Sequence, residues 1–66
     1  MNKDIKIGDV FIYDDKYEII KDIRGTFVFH DYLFTPGADS SSHMQWVKRQ
    51  KFITEEELFE IKAKLL

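Results

Sequence analysis

Ile5 and Ile7 flank Lys6, an alternation that predicts a short strand over residues 5–7. Residues 10–13, Val-Phe-Ile-Tyr, are continuously apolar and rich in β formers. The apolar register therefore changes across Gly8-Asp9, as a bulge or bend at Gly8 would make it. Asp14-Asp15-Lys16 reads as a polar turn, and residues 17–24 predict a second strand. Gly25-Thr26 follows, with Gly at the first central position of a type II′ hairpin loop. Residues 27–34 predict a third strand. Residues 35–42, Thr-Pro-Gly-Ala-Asp-Ser-Ser-Ser, have the composition of a loop. Residues 43–52 predict a fourth strand with a kinked end.

The last segment predicts a helix over residues 55–65. Thr54 and Glu57 stand at the N-cap and N3 positions of a capping box, and Ile53 with Leu58 supplies a hydrophobic staple. Glu55, Glu56 and Glu57 complement the helix dipole, and Glu60 with Lys64 forms an i,i+4 pair. The apolar arc comprises Leu58, Phe59, Ile61, Leu65 and Leu66. Lys62 falls inside that arc, where its stem can cover apolar surface.

A two-residue Gly25-Thr26 loop sets the hairpin pairing. Arg24 faces Phe27, Ile23 faces Val28, Lys21 faces His30, Ile19 faces Tyr32 and Tyr17 faces Phe34. One hairpin face then carries Tyr17, Ile19, Lys21, Ile23, Val28, His30, Tyr32 and Phe34, the expected core side. The other carries Glu18, Ile20, Asp22, Arg24, Phe27, Phe29, Asp31 and Leu33. Large apolar groups among charges on that second face need a cover, either the C-terminal helix or another strand of the same chain, or a partner. The expected partner contacts are Ile20, Asp22, Arg24, Phe27, Phe29 and Leu33.

The expected fold is α+β and mostly β, a single small domain over residues 1–66. It has a strongly bent antiparallel meander of four to five strands over residues 5–53, then one C-terminal helix. Ile7-Gly8-Asp9-Val10-Phe11, followed by Tyr17-Glu18-Ile19-Ile20, resembles the opening of small SH3-like barrels. The resemblance is one of fold over the first half and implies no activity.

Size and charge narrow the function classes. A chain of 66 residues builds one small core, and self-association is a common supplement, so a homodimer is one expectation. The formal net charge is −2, which disfavours simple phosphate tracking along nucleic acid. Cys is absent, which excludes disulfides and thiolate zinc sites and suits a reducing cytoplasm. No apolar run is long enough to span a bilayer, and the first residues lack a signal-peptide block. The preference for Lys over Arg and the frequent Ile suggest an AT-rich bacterial or phage genome.

Candidate chemistry is sparse. His30 and Asp31 point to opposite faces of a strand, and neither His30 nor His43 has metal-ligand spacing. Ser40, Ser41 and Ser42 beside His43 lack a nucleophile elbow and read as polar loop. Asp14 and Asp15 read as turn residues, and the scattered glycines cradle no phosphate. No catalytic residue, metal or cofactor is expected. Trp46, Lys48, Arg49, Lys51 and Phe52 mix basic and aromatic groups, the composition of a weak single-strand binder.

Three functional readings follow. The preferred one is a non-enzymatic protein-binding module, such as a bacterial or phage inhibitor or accessory protein, its 15% aromatic content exceeding what so small a core can hide. The second is a dimeric binder of a small anionic, nucleotide-like ligand through Arg24, His43, Trp46, Arg49 and Lys62. The third is nucleic-acid binding by the strand around Trp46.

Overall fold

The computed structural model describes residues 4–65, and for Leu65 the backbone alone. Residues 1–3 and Leu66, the last member of the predicted apolar arc, lie outside the described residues. Among these, five strands form one antiparallel sheet: β1 Val10–Tyr13, β2 Lys16–Arg24, β3 Phe27–Tyr32, β4 Ser40–His43 and β5 Lys51–Phe52. Helix α1, Met44–Lys48, follows β4, and helix α2, Glu55–Leu65, follows β5. The spatial order is β4-β3-β2-β1-β5, so β4 and β5 are the edges and the sheet is open. The fold is thus mostly β with a C-terminal helix, as the sequence predicts.

The turns follow their residues. Asp14 and Asp15 both have positive φ (53° and 60°), the type I′ pattern whose twist suits a tight hairpin. Gly25 alone is positive in its loop (58°), as a type II′ turn requires. Residues 5–7 do not form the predicted strand. Asp9 closes a turn instead: its carboxylate accepts from the Lys6 N–H at 3.0 Å, and its own N–H donates to the Lys6 carbonyl.

The hairpin pairing departs from expectation at one residue. Arg24↔Phe27 and Ile23↔Val28 hold, but Ile20, not Lys21, stands opposite His30. Ile19 then pairs with Asp31 and Glu18 with Tyr32. Lys21 is the extra residue of a β-bulge, and it swaps the two faces of β2 beyond that point. Ile20 is therefore core, 1% exposed, and not a surface contact. Tyr17 and Ile19 move to the outer face, and β3 ends at Tyr32 before Phe34 can pair.

Residues 40–52 carry the second correction. Ser40, Ser41 and Ser42, expected as loop, form edge strand β4 together with His43. Residues 44–48 are helical, so that of the predicted fourth strand only His43, which ends β4, and Lys51 with Phe52 lie in strands. His43 is the N-cap of α1, its Nδ1 accepting the Gln45 N–H at 3.2 Å. The helix is favoured because it lays Met44, Trp46 and Val47 on the sheet, where a strand would have turned Val47 away from Trp46.

Phe11, Ile20, Val28 and Val47 are the buried centre, with Ile5, Ile23, Met44, Trp46 and Phe52 packed around them. Helix α2 contributes little to this core, since none of its described residues belongs to it. Its first turn is well capped: Thr54 Oγ1 accepts the Glu57 N–H at 3.1 Å and donates to the Glu57 carboxylate. Leu58 and Ile61 are half-buried, Phe59 is 75% exposed and Lys62 is exposed. The expectation that α2 could cover the Phe27 and Phe29 face is overturned, because both rings remain exposed.

Buried Asp31 anchors the connection from β3 to β4. Its carboxylate accepts N–H groups of Tyr32 at 2.7 Å, Gly37 at 2.8 Å and Ala38 at 3.0 Å. The Gly37 bond, followed by those from Ala38, Tyr32 and Asp39, outweighs desolvation and holds this carboxyl below its ordinary value of 3.8. A depressed carboxylate stabilises the fold above the unfolded value and loses that contribution as pH falls through the folded one. Acid titration followed by amide chemical shifts should release Gly37 and Ala38 below pH 3.8, and Asp31→Asn should abolish that step. Thr54→Ala should remove about 1 kcal/mol of local helix stability. Because α2 is so lightly docked, hydrogen exchange at its first turns should quicken while the global melting temperature hardly changes.

Candidate functional site

Residues directly opposite on paired strands share a face, so the register defines an inner and an outer surface. The inner one carries Phe11, Glu18, Ile20, Val28, His30, Tyr32, Ser40 and Ser42. Helix α1 covers one end of it, and the other end is open. A groove of about 310 Å³ lies there, walled by Tyr13, Tyr32 and Trp46 and floored by Glu18, His30 and Ser42. Lys16 also lines it, its ammonium 5.1 Å from the centre of the Tyr32 ring.

The floor is a connected polar chain across three strands. His30 Nδ1 lies 2.6 Å from Glu18 Oε1, and His30 Nε2 lies 2.8 Å from Ser42 Oγ. Glu18 and His30 are each 4% exposed, and no buried side-chain polar atom among the described residues lacks a partner. The imidazole is fixed by the edge of Phe11 at 5.4 Å and by Trp46 stacked at 6.3 Å, and Tyr13 meets Trp46 edge-on at 4.9 Å. With Glu18 as a carboxylate, two proton placements satisfy the chain. Either a neutral ring donates from Nδ1 to Glu18 and accepts the Ser42 hydroxyl, or an imidazolium donates to both. In either one Glu18 accepts the Nδ1–H hydrogen bond and fixes the ring's orientation.

Sequence reasoning placed His30 on the core side but gave no functional role to Glu18, His30 or Ser42, and it weighed the serines only beside His43, where they read as polar loop. Their signal was the bulge: Glu18 reaches His30 only because Lys21 is left unpaired. His43 instead caps α1 and packs against Phe27 at 6.0 Å.

The outer surface holds most of the expected partner contacts. Phe27 is 53% and Phe29 36% exposed. Arg24 Nε donates to Asp22 Oδ2 at 2.8 Å, and its guanidinium lies 5.7 Å from the centre of the Phe29 ring. That Arg24 bond, then the Ile23 N–H, holds the Asp22 carboxyl below its ordinary value. Leu33 is half-buried beyond the strand, its N–H donating to the Tyr17 carbonyl. On β4, Ser41 and His43 stand beside Phe29 and Phe27.

The five residues expected to hold a small anion are not gathered. Trp46 lines the inner groove, Arg24 and His43 flank Phe27 on the outer face, Arg49 follows α1, and Lys62 lies on α2. The Trp46 to Phe52 segment is likewise no continuous basic strand, since α1 occupies its first half. Among the described residues no cluster of three His, Asp or Glu could hold a metal ion. No described helix is long and apolar enough to cross a membrane.

Glu18→Ala should strand the His30 Nδ1–H away from water and cost about 1–3 kcal/mol in urea denaturation, whereas Glu18→Gln, which keeps an acceptor, should cost less. Equal losses for the two would show that the acceptor is unimportant. Comparison of the chain with protein-family models, with curated proteins and with solved structures finds no match to any of them.

Proposed function

We propose that this protein is a protein-binding module that receives an extended segment of a partner along the free edge of β4. The carrying observation is the exposed Phe27–Phe29 pair beside that edge. Natural edge strands are blunted by Lys, Pro or covering elements. Strand β4, Ser-Ser-Ser-His, carries no such charge, whereas the opposite edge is only two residues long and includes Lys51. A strand added to β4 would gain main-chain hydrogen bonds, and its long apolar side chains could reach over Ser41 to the two rings.

The arrangement suits an inhibitor or accessory protein acting by surface contact. The SH3-like likeness belongs to the same proposal, as a small bent sheet that displays an edge and aromatic rings. A second copy of the chain is the competing occupant.

Peptides selected from a displayed library against the purified chain should perturb amide resonances of Phe27, Phe29 and residues 40–43. Phe27→Ala combined with Phe29→Ala should weaken capture at least tenfold with little change in melting temperature. Unfolding of the double variant would show the rings to be core. Perturbations confined to other surfaces would overturn the proposal, as would concentration-dependent dimers that close this edge.

A further inference from the structure

The Glu18–His30–Ser42 chain does more than satisfy buried polar atoms. It places a hydroxyl, an imidazole and a carboxylate in the order that activates a nucleophile, with the base held by a third group. Ser42 is the half-exposed residue of the three, and all three line the open groove. Its surroundings also single it out. Ser41 points to the outer face. Ser40 shares the inner face, yet Ser42 makes the 2.8 Å contact with Nε2.

We infer that Ser42 is an acyl-accepting nucleophile, with His30 as its general base and Glu18 as the positioning residue. The substrate class is a small carboxylic ester with a flat or aromatic part. The groove's 310 Å³ lies at the lower end of the range for small-molecule sites, and its walls are Tyr13, Tyr32 and Trp46.

The active form carries its imidazole proton on Nδ1, so that Nε2 accepts the Ser42 hydroxyl. Ser42 Oγ bonds to the carbonyl carbon as its proton passes to Nε2. The tetrahedral oxyanion forms in a groove whose lining includes the Lys16 ammonium as well as the Asp14 carboxylate, and the Lys16 charge stabilises the developing negative charge. Collapse breaks the bond to the alcohol oxygen, which takes the proton back from Nε2. Water, giving a proton to Nε2, then attacks the seryl ester. The carboxylic acid departs and the Ser42 hydroxyl is regenerated, so that ester and water become acid and alcohol. This site lies on the opposite face from the proposed partner surface, and neither reading depends on the other.

The test uses the full chain with p-nitrophenyl acetate and a fluorophosphonate probe, read by nitrophenol release and by mass mapping of the adduct. The expected result is a single adduct on Ser42. Labelling should fall at least tenfold in Ser42→Ala and be unchanged in Ser41→Ala. Nitrogen-15 NMR of the unmodified protein should show the Nδ1–H tautomer of neutral His30, and Glu18→Gln should lose that preference together with reactivity. Adducts spread over lysines or all three serines, labelling no faster than in the urea-unfolded chain, or an Nε2–H tautomer would each overturn the inference.

Discussion

Lys21 has no partner on β3, and that vacancy in the ladder decides what the sheet buries. With continuous pairing, Lys21 would stand opposite His30 while Glu18 and Ile20 faced outward. The bulge turns β2 by one position and brings Ile20 onto Phe11 and Val28, with Glu18 against His30. A cation next to an imidazole in a closed core would cost several kcal/mol. An acid there instead completes a hydrogen-bonded chain, so the apolar centre and the polar floor of the groove share one origin.

The inner face is divided by the small amount of cover available. A domain of this length buries only about 60% of the surface of its unfolded chain. Helix α1 spans five residues and spreads Met44, Trp46 and Val47 over one end of the sheet. Among the described residues nothing lies on the sheet beyond Trp46, and the groove is walled by Trp46 from this short helix and by Tyr13 and Tyr32 from the strands. Helix α2, twice as long, is spent elsewhere: its first turn is tied by Thr54 and its apolar arc leaves Phe59 in solvent.

Legibility in the sequence followed the strength of local signals. Helix α2 is announced by Thr54 and Glu57, and the second hairpin by Gly25, whose positive φ few other residues adopt. The first three pairs beyond that loop, including Phe27 and Phe29 on the outer face, were legible because a two-residue loop sets register close to itself. Pairs farther along were not, since no residue type marks Lys21 as unpaired. Strand β4 was hidden because an edge of serines shows no apolar alternation, and α1 because five residues hold little more than one helical period. The groove floor needs both the bulge and β4, so none of it was visible from composition or spacing.

The sheet order also has a kinetic side. Strands β1 to β4 each lie against their neighbour in the chain, joined by two tight turns and one Asp31-anchored connection. Among the described residues, β5 is the one strand that crosses back, to pair with β1. Loop-closure entropy makes near-neighbour hairpins quick to form and disfavours closures across a long intervening chain. The β1–β5 seam is accordingly expected to close late in folding, bringing Phe52 onto the Phe11 ring at 5.5 Å.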